Sequence, residues 1–193
     1  MSASSPAIQI TVRRAWSNNT LVLLVGPGGA GKSTLGRSLA PLLGRTLVDL
    51  DEAFLARVGD IGAFIRHEGY EAYKVGNSKL ATALVDEMVS PALLVTSSGF
   101  LTADNPPDAL AANHAVLARG YSISLMPSPD LDEAVATLVF RQMSRPFNQG
   151  ASVAAHAATA RARFETYMTA GDLLVCSSAP PDSVAVALCG HVA

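Results

Sequence analysis

The sequence predicts an α/β fold, a parallel sheet layered between helices. Three observations predict it. Short apolar runs rich in strand-forming residues alternate with longer helical patterns along most of the chain, the order expected when parallel strands are joined by crossover helices. One of these runs leads through a glycine-rich loop directly into a helix with an apolar stripe. The chain has 193 residues, 49% of them apolar, enough for one domain with a substantial core.

Taken in order, the strand candidates are residues 21–25, 46–49, 92–96, 122–126 and 173–176. Helices are expected over 32–43, 51–58, 69–89, 107–119, 130–143, 151–169 and 181–189. Residues 1–20 read as an N-terminal extension that packs on a single domain spanning 21–193. Within it, residues 8–12 alternate like an edge strand, and Arg13 and Arg14 read as a solvated stretch. Trp16 and Tyr167 read as packing residues. The alanine-rich stretch 151–162 suits a plain helix.

Net charge is −2, so no nucleic-acid partner is expected. No apolar run has the length of a membrane span. The first residues lack the layout of a secretion signal, and the two cysteines, Cys176 and Cys189, fit no metal spacing. A reducing, cytoplasmic setting and a monomer are the expectations. His67, His114, His156 and His191 form no ligand spacing.

The chemistry concentrates in Gly26-Pro27-Gly28-Gly29-Ala30-Gly31-Lys32-Ser33, which fits G-x-x-x-x-G-K-[ST] at every fixed position. Strand, loop and helix follow in the order the mechanism needs. Glycines allow a concave loop whose N–H groups form an anion nest, and the helix N-terminus adds its dipole. Lys32 would reach the β- and γ-phosphates of a nucleoside triphosphate, and Ser33 would ligate Mg²⁺. The fold class expected is the P-loop type of three-layer α/β/α sandwich with a five-stranded parallel sheet.

A second site is expected at the carboxyl ends of the strands. Asp49 and Asp51 end the second candidate strand, two apart, where strand alternation would turn both toward one crevice. One can hold Mg²⁺ through water, and the other can accept a proton from an attacking hydroxyl. The alternative is that Asp51 caps the next helix.

With these residues in place, the chain resembles the shikimate kinases. The phosphate loop running on through Thr34-Leu35-Gly36-Arg37 is similar to that family's loop and first helix, and Asp49-x-Asp51 to its paired aspartates. Gly69-Tyr70-Glu71-Ala72-Tyr73-Lys74 resembles its G-E-x-x-F-R element, Arg145-Pro146-Phe147 its R-P-L lid, and Arg163-x-x-x-Tyr167-x-x-x-x-Asp172 its R-x-P-L-Y-x-x-x-A-D run. The resemblance implies the order 2-3-1-4-5 for the five strand candidates, and transfer of the γ-phosphoryl group of ATP to a hydroxyl of a small hydroxylated carboxylate, shikimate. It implies that Gly29, Ala30, Gly31, Lys32, Ser33 and Thr34 wrap the ATP phosphates, and that Ser33 and Asp49 serve Mg²⁺. Asp51 would be the base. Lys74, Ser98, Gly99 and Arg163 would meet the acceptor. Arg145 would close over the phosphates from a lid near residues 141–152, with Arg141 against adenine and residues 177–181 bordering it.

The departures fall on the acceptor side and the lid. Lys74 stands where the family pattern has arginine, keeping the charge but losing the two-pronged hydrogen bonding. Ser97-Ser98-Gly99 stands where it has three glycines, adding hydroxymethyl groups that would narrow the approach. Three readings stay open on sequence: a shikimate kinase, a related kinase for another hydroxy acid or polyol such as a gluconate-like sugar acid, and a nucleotide-binding homologue without catalysis.

Overall fold

A computed structural model describes residues 8–17, 20–144 and 152–192 of the chain. Arg145 and most of the expected lid lie outside the described residues. The strands are β1 (Gln9–Val12), β2 (Leu21–Val25), β3 (Thr46–Asp49), β4 (Ala92–Val95), β5 (Tyr121–Met126) and β6 (Leu173–Cys176). The helices are α1 (Lys32–Leu42), α2 (Leu50–Arg57), α3 (Ile61–Glu68), α4 (Tyr70–Glu87), α5 (Pro107–Ala118), α6 (Leu131–Met143), α7 (Val153–Thr169) and α8 (Pro181–Val192).

The strands form one sheet in the order β1-β6-β5-β2-β4-β3. Its five parallel members follow the predicted order 2-3-1-4-5, read from β3 to β6. The count of five is corrected to six, because β1 pairs antiparallel with β6 and Ile10 lies opposite Val175. The sheet is therefore mixed, with its lone antiparallel strand at one edge. β2 is buried at every position, as a central strand with both faces covered requires.

Alternate β2 side chains enter two cores. Leu21, Leu23 and Val25 pack with Phe54, Leu84, Phe164 and Tyr167 from α2, α4 and α7. Val22 and Leu24 pack with Leu35, Leu39, Leu138 and Leu188 from α1, α6 and α8. This is the predicted three-layer arrangement.

Helix starts follow local chemistry. The side chains of Asp49, Asp60, Asp130 and Ser152 each accept a hydrogen bond from a backbone N–H in the first turn of the helix that follows. Pro107 occupies the first turn of α5, where no N–H is needed. The short helix α3 was not expected. Glycines on either side obscure it, yet Asp60 caps it and Ile61, Phe64 and Ile65 pack on the core. Among the described residues, no helix is long and apolar enough to cross a membrane.

The N-terminal segment is clipped to the domain, while Arg13 and Arg14 remain exposed to solvent as expected. The Arg14 guanidinium donates to both oxygens of Asp172, at 2.6 and 2.8 Å. Asp172 also accepts from the N–H and hydroxyl of Ser122, at 2.7 and 2.8 Å. Arg13 donates to the carbonyls of Met168 and Ala170 at the end of α7, where a cation suits the helix dipole. Trp16 meets the Tyr121 ring edge-on at 5.1 Å, and the Tyr121 hydroxyl donates to the Arg14 carbonyl.

Burial alone would raise the Asp172 carboxyl, but the donors from Arg14 and Ser122 outweigh it and hold it below its ordinary value of 3.8. A carboxyl with a depressed folded value stabilises the fold above its unfolded value, and that stability is lost as pH falls through the folded one. Melting followed against pH should therefore show the parent losing stability more steeply than Asp172→Asn once pH drops below about 4. At neutral pH the order should reverse, the variant melting lower. Parallel curves would remove Asp172 from the acid response.

Candidate functional site

The phosphate loop leaves β2 at Val25 and enters α1 at Lys32. Gly31 caps α1 in the left-handed region, at φ +97°, and Gly29 sits at φ +87°, so glycine is favoured at both. A Cβ on Gly29 would also come within 3.0 Å of the Leu138 carbonyl oxygen. Lys32 is 8% exposed. Its ammonium folds back over the loop, donating to the carbonyls of Gly26 at 2.7 Å and Pro27 at 3.2 Å.

Beside the loop opens a cavity of about 330 Å³, lined by Gly29, Thr34, Arg141, Ser177, Ala179 and Pro181 among others. That volume is typical of small-molecule clefts, about 300–1,000 Å³. Arg141 lies 3.3 Å from the Gly29 carbonyl, and burial lowers its pKa. The structure thus brings together the phosphate loop, Arg141 and the loop after β6, three segments far apart in sequence.

The aspartate pair is arranged differently from expectation. β3 ends at Asp49 and α2 begins at Leu50, so strand alternation does not relate the two carboxylates. The cap is Asp49, whose Oδ1 accepts from the N–H groups of Asp51 at 3.0 Å and Glu52 at 3.4 Å. The cap alternative for Asp51 is overturned. Asp51 is an exposed residue of the first turn of α2, where a carboxylate suits the dipole.

Ser33 is half-buried in the first turn of α1. Among the described residues, no three His, Cys, Asp or Glu side chains gather to hold a metal. A hydroxyl and a lone carboxylate as donors suit Mg²⁺, which keeps several waters and takes the rest of its shell from phosphate oxygens.

The residues expected on the acceptor side lie where the loop after β4 meets α4 and α7. Arg163 donates to the Ser98 carbonyl at 3.2 Å and lies 3.4 Å from the Ser98 hydroxyl. The Tyr167 hydroxyl donates to the same carbonyl at 2.9 Å, and burial pushes its pKa up to about 12. Tyr167 therefore packs, as expected, and also ties α7 to this loop. Arg163 shares a cavity of about 20 Å³ with Pro27, Gly28, Gln142 and His156. A Cβ on Gly99 would stand 3.4 Å from the Arg163 guanidinium.

Lys74 is buried and already engaged. Its ammonium donates to the Asp104 carbonyl, lies 3.6 Å from the Asp104 carboxylate and sits 5.2 Å over the Tyr70 ring. The two serines do not both narrow the approach. Ser97 turns its hydroxyl inward to Asn77 at 2.8 Å, and Ser98 keeps its own beside Arg163.

Tyr70, Tyr73, Asn77, Asp104 and Gln142 were missed by sequence reasoning. A helical aromatic reads as core, and only the shared face of Tyr73, Lys74 and Asn77 on α4 hinted at more.

Comparison with known proteins identifies a family. The family model described as shikimate kinase matches residues 28–191. The shikimate kinase of Halorhodospira halophila is 35% identical over 105 residues, covering 53% of this chain and 57% of that protein. That of Thermus thermophilus is 34% identical over 128 residues, covering 66% of this chain and 62% of that protein. The aligned stretches thus span little more than half the length of these relatives. A solved shikimate kinase from Acinetobacter baumannii, in complex with shikimate, superposes with a TM-score of 0.73 at 23% identity. It covers 89% of this chain and 92% of that one, and speaks for the fold.

Asp49 carries a structural duty beside its candidate metal role, and substitution separates the two. Asp49→Asn keeps the cap and should leave thermal unfolding nearly unchanged, whereas Asp49→Ala should lose about 1 kcal/mol. Equal losses in both would assign the stability to charge rather than to the cap.

Proposed function

The chain belongs to the shikimate kinase family, and from that premise we propose that it transfers the γ-phosphoryl group of ATP to a hydroxyl of shikimate, releasing ADP and shikimate 3-phosphate. The observation that carries the reading is the cavity wall shared by Arg163 and the phosphate-loop residues Pro27 and Gly28. It supports Arg163 as the cation that would take a carboxylate beside the loop that would hold the transferring group.

The roles follow from charge and position. Backbone N–H groups of residues 29–34 and the Lys32 ammonium would neutralise the phosphate oxygens, and Lys32 would exchange its two carbonyl partners for them. Mg²⁺, held by Ser33 and through water by Asp49, would supply further neutralisation of charge on the phosphates. Asp51 would accept the proton of the attacking hydroxyl. Arg163 would hold the acceptor's carboxylate, and Lys74 would join it by releasing Asp104. Arg141 and residues 177–181 would border adenine, and Arg145 would close from the lid. The chain would act as a monomer, and two free cysteines, Cys176 and Cys189, support a reducing cytoplasmic setting.

The Lys74–Asp104 contact favours a second reading, a kinase for another hydroxy acid or polyol that needs one cation rather than two. An ADP-release assay run against shikimate, other hydroxy acids and neutral polyols separates the readings. Turnover with shikimate supports the first and turnover only with another acceptor the second. ATP binding with no acceptor used would overturn both.

Three substitutions test the roles. Lys32→Ala should cost on the order of a hundredfold or more in kcat. Asp51→Asn should remove most transfer while leaving ATP binding near the parent value, and because Asp49 holds the cap, no helix end is lost with it. Arg163→Ala should chiefly raise the acceptor's KM. Parental turnover in Asp51→Asn would dismiss it as the base.

A further inference from the structure

The loop after β4 brings a carboxylate of its own to the expected acceptor side. The loop is held in shape from within. The Thr102 hydroxyl and the Asn105 side-chain nitrogen both donate to the Gly99 carbonyl, at 2.9 and 2.8 Å. The Asn113 side chain of α5 donates to the Phe100 carbonyl at 2.7 Å. Asp104 stands between Thr102 and Asn105, so the loop that supplies Ser98 and Gly99 also fixes the place of Asp104.

Asp104 meets Lys74 through two groups. The Lys74 ammonium donates to the Asp104 carbonyl and lies 3.6 Å from the Asp104 carboxylate. The Lys74 side chain is 9% exposed and that of Asp104 55%. A buried ammonium has little water to turn to, so it holds the carboxylate that reaches it. Burial would raise the Asp104 carboxyl, but a hydrogen bond from Thr102 and the charges of Lys74 and Arg163 outweigh it and hold it below its ordinary value of 3.8. Asp104 is therefore ionised at neutral pH.

Tyr70 joins this pair to the second cation. Lys74 follows it by one turn of α4 and sets its ammonium 5.2 Å over the ring. The Arg163 guanidinium lies 3.5 Å from the hydroxyl of the same ring. One tyrosine thus touches both cations. A carboxylate that reaches Arg163 comes near an ammonium that already has a counter-charge.

We propose that Asp104 is a specificity-determining residue, which competes from within the chain with the acceptor's carboxylate for Lys74. An acceptor acid gains the Arg163 contact, but at Lys74 it only replaces one carboxylate by another. Asp104 therefore reduces the advantage of an acid over its uncharged counterpart, and it acts through Lys74. The exchange is the same in the ground state and the transition state, so it enters KM and not kcat. The inference rests on the kinase reading above and deepens it, naming the residue that sets the acceptor's charge preference.

Steady-state kinetics with the acceptor acid that the panel identifies, and with its uncharged amide, provide the test. Asp104→Asn removes the charge and keeps the size. It should lower KM for the acid about fivefold, the upper end for an ion pair with an exposed partner, while kcat and KM for ATP stay within about twofold. The constant for the amide, read as substrate or as competitive inhibitor, should not move. In a Lys74→Met background, Asp104→Asn should no longer lower KM for the acid. An acid KM that stays or rises in Asp104→Asn overturns the competition, as does a gain shared by the amide or one that survives Lys74→Met. Should thermal unfolding show that Asp104→Asn does not fold, Asp104→Ser, which also lacks the charge, takes its place. A panel in which only neutral polyols turn over also overturns the competition. A parent inactive toward every acceptor overturns the kinase reading and this inference with it, whereas an active parent whose acid KM ignores Asp104 overturns the competition alone.

Discussion

Parallel pairing is the constraint on which the rest depends. β2 lies between β4 and β5, parallel to both, and β3 and β6 extend the same sense outward. The carboxyl ends of five strands therefore emerge on one side. The phosphate loop follows β2, Asp49 closes β3, Ser97 to Gly99 follow β4, and Ser177 follows β6. No local feature of any one segment could gather them. The sheet does so because β2 is apolar throughout and buries both faces, which holds it at the centre.

On that frame the site balances its charges before any ligand arrives. Lys32 rests on two loop carbonyls, Arg141 on a third, Lys74 on Asp104, and Arg163 on the Ser98 carbonyl. A buried cation needs such partners, since desolvation without them is expensive. Carbonyls are neutral acceptors that an anionic ligand can outcompete, whereas the Asp104 carboxylate is a charged one. Lys32 and Arg163 are thus poised to change partners, and Lys74 is more firmly committed. The lysine that departs from the family pattern is the cation with a carboxylate of its own.

Much of this was legible in the sequence, for identifiable reasons. The phosphate loop is local, and its glycines, lysine and serine carry their geometry with them. The five parallel strands were legible because buried strands are apolar runs bounded by polar turns. The cap of α2 was misread because Asp49 and Asp51 are both good cap residues, and only the backbone decides where β3 stops and α2 starts. α3 was hidden by its glycine borders. Asp104, Tyr73 and Asn77 were illegible for a different reason. Their meaning lies in partners 30 residues away for Lys74 and 20 for Ser97, and no periodicity encodes such a meeting. The serines at 97 and 98 show this most directly. On sequence both add bulk beside a ligand, yet in the fold one hydroxyl faces inward and the other stays beside Arg163.

The N-terminal strand belongs to the same argument. Its arginines were read as solvated because adjacent charges in an extended stretch usually are. They are exposed, and they also bind Asp172 and the last carbonyls of α7. α7 also carries Arg163 and Tyr167, whose head groups converge on the Ser98 carbonyl. A helix held at its C-terminal end by Arg13, and along its length by a hydroxyl and a guanidinium on one loop oxygen, has little freedom to slide or rotate. β1 adds an edge to the sheet, and the two arginines that follow it also secure the helix that carries Arg163. The edge strand whose alternation was legible at residues 8–12, but which the five-stranded count left out, therefore leads into the segment that anchors α7 from its far end.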